Sequence, residues 1–130
     1  MKQQTHEEIN KELSGTPILL QEGYSKIELL TTNKMRADKT GLIHGGFIFS
    51  LADHAAMLAI NHPNVVLGAA HVKFLKPVRE GQTIIAEAII TKKEGKKIFV
   101  HVDVRFENSS VFEGEFTCFI PKHHVLETRK

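Results

Sequence analysis

The sequence predicts an α+β fold in which an antiparallel sheet curls around one long buried helix. Three observations carry this. First, nearly every residue from Gly45 to Ile60 is apolar or small, and a stretch of that length rich in Ala and Leu reads as a helix. Second, a helix apolar on all sides must be buried, and 16 residues fall short of the roughly 20 a membrane span needs. Third, the chain downstream reads as strands, at residues 65–74, 83–91, 97–107 and 111–120. The third of these alternates strictly. Ile98, Val100, Val102, Val104 and Phe106 lie on one face, and His101, Asp103, Arg105 and Glu107 on the other.

The other elements follow in order. Thr5 followed by Glu8 is a capping-box pattern that predicts a short helix over about residues 5–13. Ser14, Gly15, Thr16 and Pro17 then stop it, and residues 24–32 have β character. Asn61, His62 and Pro63 end the long helix. Glu80-Gly81, Glu94-Gly95 and Asn108-Ser109 punctuate the strands as tight turns. No repeat, linker or low-complexity stretch divides the chain. Residues 1–130 therefore read as one domain, with a C-terminal tail over about 122–130.

Composition narrows the function. A net charge of +2 gives no bulk electrostatic case for nucleic acid. One cysteine, Cys118, excludes an internal disulfide and fits a reducing compartment. The polar start of the chain does not read as a signal peptide, so a cytoplasmic location is expected. None of the eight histidines has metal-ligand spacing, so no metal is expected.

The chemistry concentrates in the run from Gly41 to Ala56. His44 is followed by Gly45 and Gly46 at the helix start. Two glycines there leave backbone N–H groups unshielded, beside the positive end of the helix dipole. That suits a carbonyl oxygen gaining negative charge. Asp53 is the lone acid of the apolar helix. An ionised carboxylate there is costly unless it faces a pocket, a partner or solvent. Eight residues separate Gly45 from Asp53, roughly 12 Å along the axis. A donor and a base must both reach one reacting group within about 3 Å. One chain cannot do this with these two residues, but two helices packed antiparallel about a two-fold axis can. The small residues Ala52, Ala55, Ala56 and Ala59 are expected to allow that approach. The alternative for Asp53, a hydrogen-bonded interface carboxylate with no chemistry, is the less favoured reading, and Gly45 and Gly46 are expected to serve packing as well as donation.

His-Gly-Gly, then Leu-Ala-Asp, then a small-residue helix resembles the hotdog-fold acyl-CoA thioesterases of the phenylacetate-pathway type. The run from Phe74 through Pro77 to Gly81 is similar to that family's strand and turn after the helix, and the resemblance spans about residues 38–120. It implies a hotdog fold and a site shared by two subunits. There the Gly45 N–H would polarise a thioester carbonyl, and Asp53 of the other subunit would act as nucleophile or general base. It also places His44 and Asp38 against the substrate, and Gly46, the second glycine of the pair, is a further candidate contact. Two departures bear on turnover more than on binding. Asp38 stands where that family often carries Asn, and residues 65–70 lack the water-positioning Ser of one branch.

The stretch from Phe112 to Phe116 also resembles the effector domain of a malonyl-CoA-sensing repressor of lipid synthesis, a hotdog that binds coenzyme A esters without hydrolysing them. The residues before the helix are too few for a helix-turn-helix module, so no direct DNA contact is expected. The related acyl-carrier-protein dehydratases carry a His with a Pro-Gly-His element, and the hydratases an Asp-His pair on a loop. Neither pattern is present.

The expected activity is therefore hydrolysis of an acyl thioester by a homodimer or dimer of dimers. The alternative is a non-catalytic acyl-CoA-binding or sensing protein that acts through a partner. No cofactor is expected beyond coenzyme A as part of the substrate or ligand. Lys76 and Arg79, flanking the turn after the strand, are the candidate contacts for its phosphates. Phe47, Phe49, Met57 and Phe74 are expected to line the acyl tunnel. His54 points away from Asp53 on the helix and reads as structural.

Overall fold

The computed structural model describes residues 1–127. Its elements are α1 (Lys11–Ser14), β1 (Thr16–Gln21), β2 (Tyr24–Leu30), a 3-10 turn (Asn33–Met35), α2 (Gly45–Ile60), β3 (Val66–Phe74), β4 (Thr83–Glu94), β5 (Lys97–Phe106) and β6 (Ser109–Phe119). The six strands form one sheet in the order β1-β2-β4-β5-β6-β3, with antiparallel pairing throughout. The sheet curls around α2, as the all-round apolar helix required. This is the hotdog arrangement.

Alternation sets the packing. Ile98, Val100, Val102 and Val104 of β5 are buried, and so are Phe112, Phe116 and Cys118 of β6. They meet Leu51, Ala52, Ala55, Ala56, Leu58 and Ala59 of α2 in one core. The four alanines of that set are at most 1% exposed within the single chain. Their small size lets the helix lie close on its own sheet, so they are not the surface a second helix would meet. The part of α2 left half-buried or exposed is instead its first turns and one stripe, Gly46, Phe49, Ser50 and Asp53.

The N-terminus differs from the sequence expectation. The helix expected over about 5–13 is confined to Lys11–Ser14, and Asn10, not Thr5, caps it through Leu13 N–H. The Thr5 hydroxyl instead lies 2.8 Å from His6 Nδ1. The segment expected only to stop the helix runs straight into β1. This edge strand pairs with β2 and alternates poorly because a bulge interrupts its register between Pro17 and Leu19. The remaining strands fall where the pattern places them, within a few residues at their ends. Of the expected tail, residues 128–130 lie outside the described part.

Candidate functional site

Two short loops bring the N-terminus of α2 into place. The residues before the helix fold back on themselves, Ala37 N–H donating to Leu42 O at 2.7 Å. The turn after β3 joins them, with Ile43 N–H donating to Val78 O at 2.9 Å and Glu80 N–H to Gly41 O at 2.8 Å. His44 N–H donates to Met35 O at 2.9 Å, which fixes the chain as it enters the helix.

His44 occupies the N-cap position but makes no side-chain cap bond. Its exposed ring sits edge-on to Phe47, with 6.1 Å between centroids. The N–H groups of Gly45 and Gly46 have no partner among the described residues. Both glycines permit close cover. A Cβ on Gly45 would lie 3.1 Å from the Phe74 ring, and one on Gly46 3.0 Å from the His44 ring. Two rings thus flank a pair of free donors at the positive end of a 16-residue helix.

Asp53 lies two turns further on, half-buried. Its Oδ1 is shut off from solvent and has no hydrogen-bond partner. Burial pushes the carboxyl up to about 6. Near neutrality it can therefore hold or release a proton, which suits a general base. The fully buried thiol of Cys118 on β6 faces the same region. Burial, then the charge of Asp53, pushes that thiol up to about 12. Nothing in the sequence pointed to Cys118, because its nearness to Asp53 depends on how β6 lies against α2.

His54, one residue on, is fully buried. Its Nδ1 lies 3.0 Å from Ser14 O, and its ring stacks on His6 at 6.4 Å. Burial lowers its pKa, the Ser14 carbonyl opposing. Its Nε2 is shut off from solvent without a partner, and its packing fits the structural reading of the sequence.

The remaining candidates are dispersed. Asp38 is exposed, and its Oδ1 accepts from Thr40 N–H at 2.9 Å and Thr40 Oγ1 at 2.6 Å. The Thr40 hydroxyl, then its N–H, holds the carboxyl below the usual range. Asp38 thus serves its own turn. Lys76 and Arg79 separate. Lys76 Nζ lies 3.2 Å from Ser109 Oγ at the start of β6, whereas Arg79 shares a concavity with Arg36 and Lys39. Of the four tunnel candidates, Met57 is 1% exposed in the core. Phe49 packs on Phe116 at 5.6 Å, and Phe74 on Phe112 at 5.1 Å with 55% of its surface exposed. Among the described residues no group of His, Cys, Asp and Glu is arranged to hold a metal.

A six-stranded antiparallel sheet curled around one long helix is the fold of the thioesterase superfamily. The chain belongs to the thioesterase superfamily, whose family model matches residues 40–113. Protein PH1136 from Pyrococcus horikoshii has a structure that superposes with a TM-score of 0.96 at 49% identity, over 98% of each chain. PaaI of the Escherichia coli phenylacetic acid degradation operon shares the fold at TM-score 0.82 and 23% identity, over 92% of this chain and 88% of that one. Among curated relatives, methylthioribose-1-phosphate isomerase of Aquifex aeolicus is 55% identical over 89% of this chain and 26% of its own length. Transcription factor FapR of Caldanaerobacter subterraneus is 30% identical over 93% of this chain and 61% of its own length. The chain thus spans about a quarter of the first and three fifths of the second.

Proposed function

We propose that this protein is a cytoplasmic acyl-CoA thioesterase whose site forms between two copies of the chain. One observation carries the reading. A half-buried carboxylate with an unsatisfied oxygen sits about 12 Å along α2 from two unsatisfied backbone donors. Both features are costly for stability, and each suits one half of an acyl-transfer step. Their separation supports a site with the halves on different subunits. The Gly45 N–H binds the thioester carbonyl, and the partner subunit's Asp53 takes a proton from water as its oxygen attacks that carbonyl. The oxyanion collapses with cleavage of the carbon–sulfur bond. Asp53 returns its proton to the departing thiolate, leaving a carboxylic acid and free coenzyme A. His44 and Phe74 flank the reacting carbon, and Gly46 lets the His44 ring lie close.

A second reading keeps the fold and the ligand but not the turnover: an acyl-CoA sensor. Identity to FapR, at 30%, exceeds that to PaaI, at 23%, and Asp38 puts a carboxylate where the thioesterase pattern has an amide. The isomerase is nearly four times the length of the segment it shares with this chain, and its activity gives no reading of this site.

Thiol release from short, long and aromatic acyl-CoAs separates the readings. Turnover that falls about 100-fold or more in Asp53→Asn identifies the thioesterase. Folded protein that binds the esters and hydrolyses none identifies the sensor.

A further inference from the structure

Beside the helix entrance, two adjoining concavities differ in character and share Thr40 and Arg79. One, of about 300 Å³, is lined by Arg36, Lys39 and Arg79, with Glu80 as its only acid. The other, of about 200 Å³, is walled by Leu42 and Pro77. The loops that carry them are tied by the Leu42–Arg79 and Arg36–Ile43 bridges and by the Glu80 to Gly41 hydrogen bond. A residue 43 positions away in the chain is thereby fixed beside Arg36.

Charge is distributed unevenly there. Glu80 is taken up by Arg36 in an ion pair. Asp38, the other acid of the loop, is held by Thr40. Lys39 and Arg79 have no acidic partner among the described residues. Two free cations thus stand at the junction of a basic hollow and an apolar shelf. One of them is a guanidinium that can pair with phosphate and stack on a planar ring.

We infer that this double hollow takes the nucleotide end of coenzyme A, with phosphate on Lys39 and Arg79 and the purine on the Leu42–Pro77 shelf. The inference rests on the reading of the site as one for a coenzyme A ester and specifies the carrier. Gly41 lies four residues before Gly45, no more than about 14 Å even fully extended, so one pantetheine arm can run from the hollow to the free donors of α2. A carrier protein presents the same arm without a purine or a 3′-phosphate and leaves the hollow unfilled. The assignment replaces the pairing of Lys76 with Arg79, since Lys76 points to Ser109.

Isothermal titration of the full chain with coenzyme A and with 3′-dephospho-coenzyme A tests this. The expected result is tighter binding of coenzyme A. Lys39→Ala and Arg79→Ala each lower its affinity by roughly tenfold, and the double variant no longer prefers it over the dephospho form. Lys93→Ala, on the distant end of β4, leaves both affinities unchanged. A double variant with a native circular dichroism spectrum that holds coenzyme A as well as the wild type overturns the inference alone. So does an equal loss in Lys93→Ala. Wild-type protein that binds neither compound overturns the inference and the functional reading together.

Discussion

The two ends of α2 are finished in opposite ways. At the C-terminal end Asn61 adopts a left-handed conformation, φ 54°, and its N–H donates to Met57 O at 2.8 Å. Its side chain then holds the N-terminal segment from both sides, donating to Lys2 O at 2.8 Å and accepting from Gln4 N–H at 2.7 Å. Two turns back, His54 meets Ser14 and stacks on His6. At the N-terminal end the cap makes no bond and two N–H groups are free, and at the middle of the helix Asp53 keeps an unpaired oxygen. A Ser, Thr, Asp or Asn in place of His44 could have accepted from one first-turn N–H. The helix backbone is closed at its C-terminal end and left with free donors at its N-terminal end, while between them Asp53 Oδ1 and His54 Nε2 are both buried without a partner.

Three substitutions probe that contrast, in order of expected size. His54→Ala removes a fully buried ring and strands the Ser14 carbonyl. Urea unfolding should show a loss of about 2–4 kcal/mol. A loss below 1 kcal/mol would mean that the C-terminal half of α2 is not the anchored end. Asp53→Asn should act in the other direction. Its carboxyl is raised by burial from an ordinary 3.8 to about 6, so the charged form opposes folding. The penalty is complete above about pH 6 and vanishes as pH falls through the ordinary value. At pH 7.5 the variant should be more stable by about 1–2 kcal/mol, with the gap closing toward pH 4. A variant less stable at every pH would show that the carboxylate is satisfied after all. Asn61→Ala should cost about 1 kcal/mol, from two lost bonds and a side chain that dislikes the left-handed region. Faster amide exchange at Gln4 would localise the effect.

The sequence made the central helix and the four long strands after it legible, because each rests on period or composition along the chain. Asp53 was visible as the lone acid in an apolar run. What escaped depends on contacts between distant residues. β1 is short, bulged and led by Gly15-Thr16-Pro17, which reads as punctuation, and only pairing with β2 makes it a strand. Thr5 and Glu8 matched a cap, yet Asn10 caps α1 and Thr5 turns to His6. The alanines of α2 suggested a helix–helix contact because small residues permit any close neighbour, and the neighbour proved to be the chain's own sheet. Arg36 and Lys39 lay unremarked in a polar loop until the 36–43 and 77–82 segments met.

Cys118 gives the fold a built-in reporter. It is the only thiol of the chain. It is fully shielded, and its pKa, near 12, leaves almost no thiolate at neutral pH, so neither alkylating reagents nor disulfides can engage it in the closed state. Labelling must wait until β6 parts from its neighbours. The rate at which a maleimide or aromatic disulfide consumes this single sulfur therefore times the opening of the sheet against α2, without an added probe. If the proposed acyl-CoA site forms between two copies, bound ester should slow that clock.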